Sequence, residues 1–361
     1  MPYVTPFAEQ IGAAPFMMGV IASAYGITQI IIRFPLGLFA DRLGKLKIFA
    51  QIGMVLSGAG GLLVFFLPSE PTLLVARALA GVTASNWVTL TVLGSRFYPP
   101  SESVKAAGFM SVANGLGRMS ALFLGGLVGQ YLGVSYAFLF AGAVGFLALL
   151  VSFGLKEPEI TRKASPSFKA LFGALREPQL LICSVLAILL QYLMFSTMYG
   201  FTPVLATRLN ASPFALGALG ALSTLPAVIF PTYVHIIIKK LGANTPLICA
   251  FIILGISTFY LPFATNIYAL IATQVLGGIG LAIAMTTLFG LCIKNITPEF
   301  RATAMGFFQA VYGIGIFAGP FFTGWITENQ NIEAAFMFAS ALTIVGIVIT
   351  AFLANRGYMN K

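Results

Sequence analysis

Charge is what this sequence has least of. Lys, Arg, Asp and Glu make up 8% of its 361 residues, while 58% are hydrophobic; soluble domains carry roughly 25% charged residues. With a mean hydropathy of +0.95, the chain cannot cover a water-facing surface with polar groups, so lipid must be its main solvent. Acids are scarcer still, ten against twenty bases, and His235 is the one histidine. No nucleophile–base–acid set, phosphate loop or metal-ligand spacing occurs, so an enzyme is not expected, nor a cofactor or metal. Cys183, Cys249 and Cys292 lie singly inside apolar runs, which excludes a disulfide framework. The net charge of +10 could signal nucleic acid, but the bases form no patch, and no nucleic-acid partner is expected.

What is present is a succession of apolar runs. A bilayer span takes about 20 residues, because a helix rises 1.5 Å per residue across roughly 30 Å. Spans are predicted near 16–40, 47–67, 71–94, 105–128, 135–155, 179–203, 213–238, 246–263, 267–292, 302–325 and 333–354. They must be helical, since lipid cannot satisfy free backbone groups. The expected fold class is therefore all-α and polytopic. Sixteen of the twenty bases fall on alternate connections and the C-terminal tail, among them Arg42, Lys45, Lys47, Arg96, Lys239 and Lys240. The opposite connections carry Arg208 and the acids Glu9, Glu70, Glu328 and Glu333. The positive-inside rule puts the basic side, with the C-terminus, in the cytoplasm. A multi-pass plasma-membrane protein is expected, monomeric in the bilayer.

The first break after a long apolar run is Gly37-Leu38-Phe39-Ala40-Asp41-Arg42-Leu43-Gly44-Lys45-Leu46-Lys47. It resembles the loop signature of the major facilitator superfamily of secondary transporters, with Gly37, Asp41, Arg42 and Gly44 matching and Lys45 keeping the charge. Leu46 departs, standing where a second adjacent base is usual. The resemblance implies a fold of two pseudo-symmetric six-helix bundles that rock about a central cavity. It also implies a gating role for Gly37, Asp41, Arg42, Gly44 and Lys45, with Asp41 near the start of the eleventh helix.

An internal repeat points the same way. At an offset of 198 residues Ala14-Pro15-Phe16 meets Ser212-Pro213-Phe214, Gly19 meets Gly217, Leu43-Gly44 meets Leu241-Gly242, and Gly115 and Gly117 meet Gly313 and Gly315. The expected domains are an N-terminal bundle (1–155), a cytoplasmic linker (156–178) and a C-terminal bundle (179–361). The span at 179–203 has no counterpart before residue 6, so a first helix is expected to be missing and eleven are visible.

Ionisable groups at membrane depth are expensive and usually functional. Arg33, Arg77 and Arg118 are three such groups, and no Asp or Glu lies inside any span. Arg118, nearest the midplane, is expected to contact substrate. Arg77, in Arg77-Ala78-Leu79-Ala80-Gly81, resembles the family's fourth-helix arginine, which that likeness associates with proton coupling. Gln191, Gln274 and Asn114 are further candidates for the cavity, with inter-helix hydrogen bonding as the alternative. The expected function is secondary transport of a small organic solute by alternating access, as proton-coupled efflux. An organic-anion transporter or facilitator using the arginines is the alternative.

Overall fold

A computed structural model describes residues 2–43, 45–99, 103–158, 175–297 and 300–355; side chains are described throughout these except at 34, 37–43, 88, 103–108, 111, 302 and 353–355. The described residues are almost wholly helical. In chain order they form α1 (Val4–Gln10), α2 (Pro15–Leu43), α3 (Leu46–Phe66), α4 (Glu70–Ser85), α5 (Trp87–Ser95), α6 (Ser103–Tyr131) and α7 (Val134–Phe153). The second half has α8 (Pro178–Ser196), a π-helical turn (Thr197–Phe201), α9 (Thr202–Arg208), α10 (Pro213–Ile229), α11 (Pro231–Leu241), α12 (Asn244–Tyr260), α13 (Ile267–Leu291), α14 (Arg301–Asn329) and α15 (Ile332–Asn355). Nine segments are long and apolar enough to cross a membrane, and the bent pair α10–α11 makes a tenth. With α6, which carries Asn114 and Arg118, the expected eleven are accounted for. The fold is an all-α, polytopic pair of pseudo-symmetric bundles.

Three spans differ in detail from the hydropathy reading. The one expected at 71–94 is two helices meeting at Asn86, and the one expected to end at residue 203 runs on to Arg208 through the π turn. The one at 213–238 bends by 50° between Ile229 and Pro231, because proline has no N–H to continue the ladder.

The repeat seen in the sequence is reproduced in the helix boundaries. Val4 and Thr202, Pro15 and Pro213, Leu46 and Asn244, Ser103 and Arg301, and Val134 and Ile332 begin equivalent helices at the same 198-residue spacing. Even the turns match. Gly12 and its equivalent Asn210 both take left-handed backbone, at φ 94° and 59°, a conformation open mainly to glycine and asparagine. Side chains close the helix starts on the face that carries Glu9, where Ser69, Ser212, Asn266 and Asn331 accept from the N–H groups of Thr72, Ala215, Ala269 and Ala334. On the basic face Glu157 does this for α3, accepting from Leu46 N and Lys47 N at 2.8 and 3.1 Å and pairing with Arg96.

The two halves meet through symmetry-related glycines. Gly19 of α2 lies against Gly324 of α14, and the equivalent Gly217 of α10 lies against Gly126 of α6. A Cβ on Gly324 would stand 2.9 Å from the Gly19 Cα, and one on Gly217 3.1 Å from the Gly126 Cα. Such backbone contact is how membrane helices gain dispersion energy without a hydrophobic driving force. The halves differ in one respect. Gly315 abuts the backbone of α8 at Ile188 and Tyr192, whereas its equivalent Gly117 on α6 has nothing within 4 Å. The core of the second half is built around α8, with Leu186, Ala187 and Leu190 fully buried, and the described residues of the first half include no helix equivalent to it.

These contacts make a prediction. Gly324→Val places a branched side chain against backbone that cannot yield, and is expected to destabilise the protein by about 1–3 kcal/mol, the usual size of overpacking. Thermal unfolding in detergent measures this, and an unchanged midpoint would contradict the close approach.

Candidate substrate site

The halves are joined on the face that carries Glu9. Arg208 Nη2 donates to Glu9 Oε1 at 3.1 Å, and Glu328 Oε2 accepts from Phe16 N–H at 2.8 Å. The second contact uses an acid of α14 to satisfy a free donor at the start of α2, where the helix dipole also favours negative charge. Along α2 and α14, contact continues through Gly26 against Phe317 and Ile30 against Gly313 to Arg33, whose Nη1 donates to the Gln309 carbonyl at 3.4 Å. Along α6 and α10 it runs from Gly129 against Pro213 to Gly115 against Val228. Beyond Val228 the partner helix bends, and Phe109 and Val112 on α6 and Tyr233 and Ile236 on α11 are exposed. Closure is one-sided.

At mid-span, each of the three arginines sits over a tyrosine ring. The guanidinium carbon of Arg77 is 4.6 Å from the ring centroid of Tyr25, that of Arg118 is 5.4 Å from Tyr199, and that of Arg33 is 5.9 Å from Tyr312. A ring face stabilises a desolvated cation by up to about 2 kcal/mol, so these rings offset part of the burial cost that carboxylates usually offset. The rings are themselves connected. Tyr25 stacks on Phe195 at 5.7 Å, and Phe195 meets Tyr199 edge-on at 5.4 Å. Arg77 and Arg118 thus stand at the two ends of one aromatic row that crosses between the halves.

The π turn aims Tyr199. Pro203 cannot donate to the Tyr199 carbonyl four residues earlier, which loosens the helix at that point. π bulges of this kind recur at functional sites. Thr5 of α1 donates to the carbonyl of Gly200 and so ties the turn to the other half.

The residues singled out from sequence fall into separate places. Arg77 and Arg33 are buried, each with an Nε that finds no acceptor among the described residues. Arg118, at the centre of α6, is exposed between the halves, as is Asn114 one turn away on the same face. Gln191 is buried on α8 with its Oε1 unpartnered among the described residues. Gln274 is buried and its Nε2 donates to Thr202 Oγ1 at 3.3 Å, joining α13 to α9 within the second half. Lys45 is exposed at the start of α3. Gly44 and the side chains of Gly37, Asp41 and Arg42 lie outside the described residues. Sequence reasoning missed Tyr25, Phe195, Tyr199 and Tyr312, which read simply as apolar positions; Pro203, four residues after Tyr199, was the available signal.

A sequence profile of the Major Facilitator Superfamily matches residues 1–207 and again 184–359, so nearly the whole chain is covered. The chain belongs to the Major Facilitator Superfamily. Superfamily relatives resemble it along its full length. An uncharacterised MFS-type transporter of Methanocaldococcus jannaschii is 24% identical, over 98% of this chain and 93% of that protein. Multidrug resistance protein MdtG of Proteus mirabilis is 24% identical over 96% of this chain and 89% of its own length. Quinolone resistance protein NorA of Staphylococcus aureus is 24% identical over 97% and 90%. A crystal structure of a variant of nucleoside transporter NupG superposes with a TM-score of 0.79 at 14% identity, covering 98% of this chain and 94% of that one, which shows a shared fold. The protein is a multi-pass membrane transport protein, not an enzyme.

Tyr199 gives a direct test of the arginine–ring geometry. Tyr199→Leu removes the ring face under Arg118 and is expected to weaken solute affinity by roughly 3- to 30-fold, the worth of one partly desolvated cation–π contact. Tyr199→Phe keeps the face and should lose far less. Equal losses in the two variants, read as KM for transport in vesicles, would show that the ring does not hold the cation.

Proposed function

We propose that this transporter exports a small organic solute from the cell by alternating access, working as a monomer in the plasma membrane with its basic face and C-terminus in the cytoplasm. One-sided closure is the observation that carries the reading. The glycine pairs, Glu9–Arg208 and Glu328–Phe16 hold one face together, while Arg118 stands exposed between the halves. A second state in which the opposite face closes would present the same arginine to the other side. The charge asymmetry supports the orientation, and MdtG and NorA, named for drug resistance, support export. On that orientation the protein stands open to the cytoplasm, the state that loads a solute for export.

Proton coupling is the driving force proposed. Every acid of the chain lies in a connection or near a helix end, so a proton-driven cycle must use carboxylates that pair and unpair at the faces. Glu9 and Glu328 have partners across the halves only while that face is closed. Asp41 of the signature loop would act in the same way at the basic face, with Gly37, Arg42, Gly44 and Lys45 shaping the loop around it.

Everted vesicles test coupling. Solute accumulation is expected when the vesicle interior is acidified and should stop when an ionophore collapses the gradient; uptake indifferent to the gradient would make the protein a facilitator. Asp41→Asn is expected to slow transport about tenfold, equivalent to one charge-assisted hydrogen bond of ~1.4 kcal/mol, with membrane insertion unchanged. Native turnover in that variant would remove the gate.

A further inference from the structure

Arg118 is unlike the other two intramembrane arginines. All three lie over tyrosine rings, but Arg33 and Arg77 are buried against the protein while Arg118 is exposed. It lies fifteen residues from the start of a 29-residue helix, too deep for a lipid headgroup to reach. No carboxylate of the chain lies at its depth. A permanently charged guanidinium held there needs a partner, and the chain supplies only the face of Tyr199, 5.4 Å away. Its N–H donors remain available. Asn114 is exposed one turn away on the same face, and Gly117 beside it has nothing within 4 Å. Space, donors and an aromatic wall therefore coincide at one place.

We propose that this place binds a planar aromatic carboxylate, with the carboxylate on Arg118 and the ring against the Tyr199 end of the row formed by Tyr199, Phe195 and Tyr25. The inference rests on the transport reading and narrows its solute to one class. A guanidinium presents parallel donors that match a carboxylate, so the anion is held in a defined plane. The tyrosine and phenylalanine rings offer offset and edge contacts to another flat ring. Three like charges around the space repel organic cations, so discrimination comes from exclusion as well as from fit. Acetate would satisfy the arginine but leave the aromatic wall unused, and benzylammonium would use the wall but meet the charge.

Calorimetry on the full chain in lipid nanodiscs decides the matter, with 1-naphthoate as the probe and acetate and benzylammonium as comparisons. Naphthoate is expected to bind at least tenfold more tightly than acetate, and benzylammonium not at all. Arg118→Ala should weaken naphthoate at least tenfold, and Arg118→Lys should restore part of the loss, both variants unfolding at the native temperature. Benzylammonium bound as well as naphthoate overturns the proposal, as does native naphthoate affinity in folded Arg118→Ala. A separate counterflow measurement with naphthoate in proteoliposomes keeps the two ideas distinguishable. Binding without counterflow supports the site and contradicts transport of this solute; counterflow that persists in Arg118→Ala leaves transport standing and removes the site.

Discussion

Everything in this structure is arranged around two places where backbone touches backbone. Gly19 against Gly324 and Gly126 against Gly217 are one contact made twice, once in each copy of the internal repeat. In lipid the hydrophobic effect does not press helices together, so close approach, dispersion and a few polar contacts must do so. Small residues at these crossings let α2 meet α14 and α6 meet α10 from the Glu9 face to mid-span. The ion pair Glu9–Arg208 is largely exposed and contributes little energy of its own. Its meaning, like that of Glu328 at the start of α2, is geometric: each exists only while this face is closed.

A second constraint follows from the shortage of acids. Three arginines at membrane depth without a carboxylate among them would be untenable if nothing compensated. The rings of Tyr25, Tyr199 and Tyr312 do so in part. Two of those rings belong to the second half, while all three arginines belong to the first. Rocking one half against the other therefore changes the surroundings of Arg33 and Arg118 and leaves Arg77 with Tyr25. Recognition of a solute at Arg118 and movement of the halves are linked through Tyr199, whose position depends on a π turn that Thr5 fastens to the first half.

Much of the fold was legible in the sequence for a simple reason: lipid demands long apolar helices, and duplication leaves punctuation at a constant spacing. Pro15 and Pro213, or Gly12 and Asn210, mark the same turns in both halves. The bend at Pro231 and the break at Asn86 were hidden, because hydropathy does not register helix continuity. The arginines could be picked out because charge at membrane depth is rare. Their partners could not, since tyrosine and phenylalanine score as ordinary apolar residues until a structure shows which ring lies beneath which cation. Gln274 illustrates the opposite case: a polar residue at depth whose side chain joins helices of the same half.

The most direct test is a pair of distance measurements by electron spin resonance, with Cys249→Ser removing the exposed native thiol. One pair of labels sits at Leu67 and Thr265 on the Glu9 face, the other at Lys45 and Lys240 on the basic face, all exposed positions. Alternating access predicts that conditions lengthening the first distance, whether a change of pH or added 1-naphthoate, shorten the second. Distances that stay fixed under every condition, or that lengthen together, would contradict a rocking mechanism.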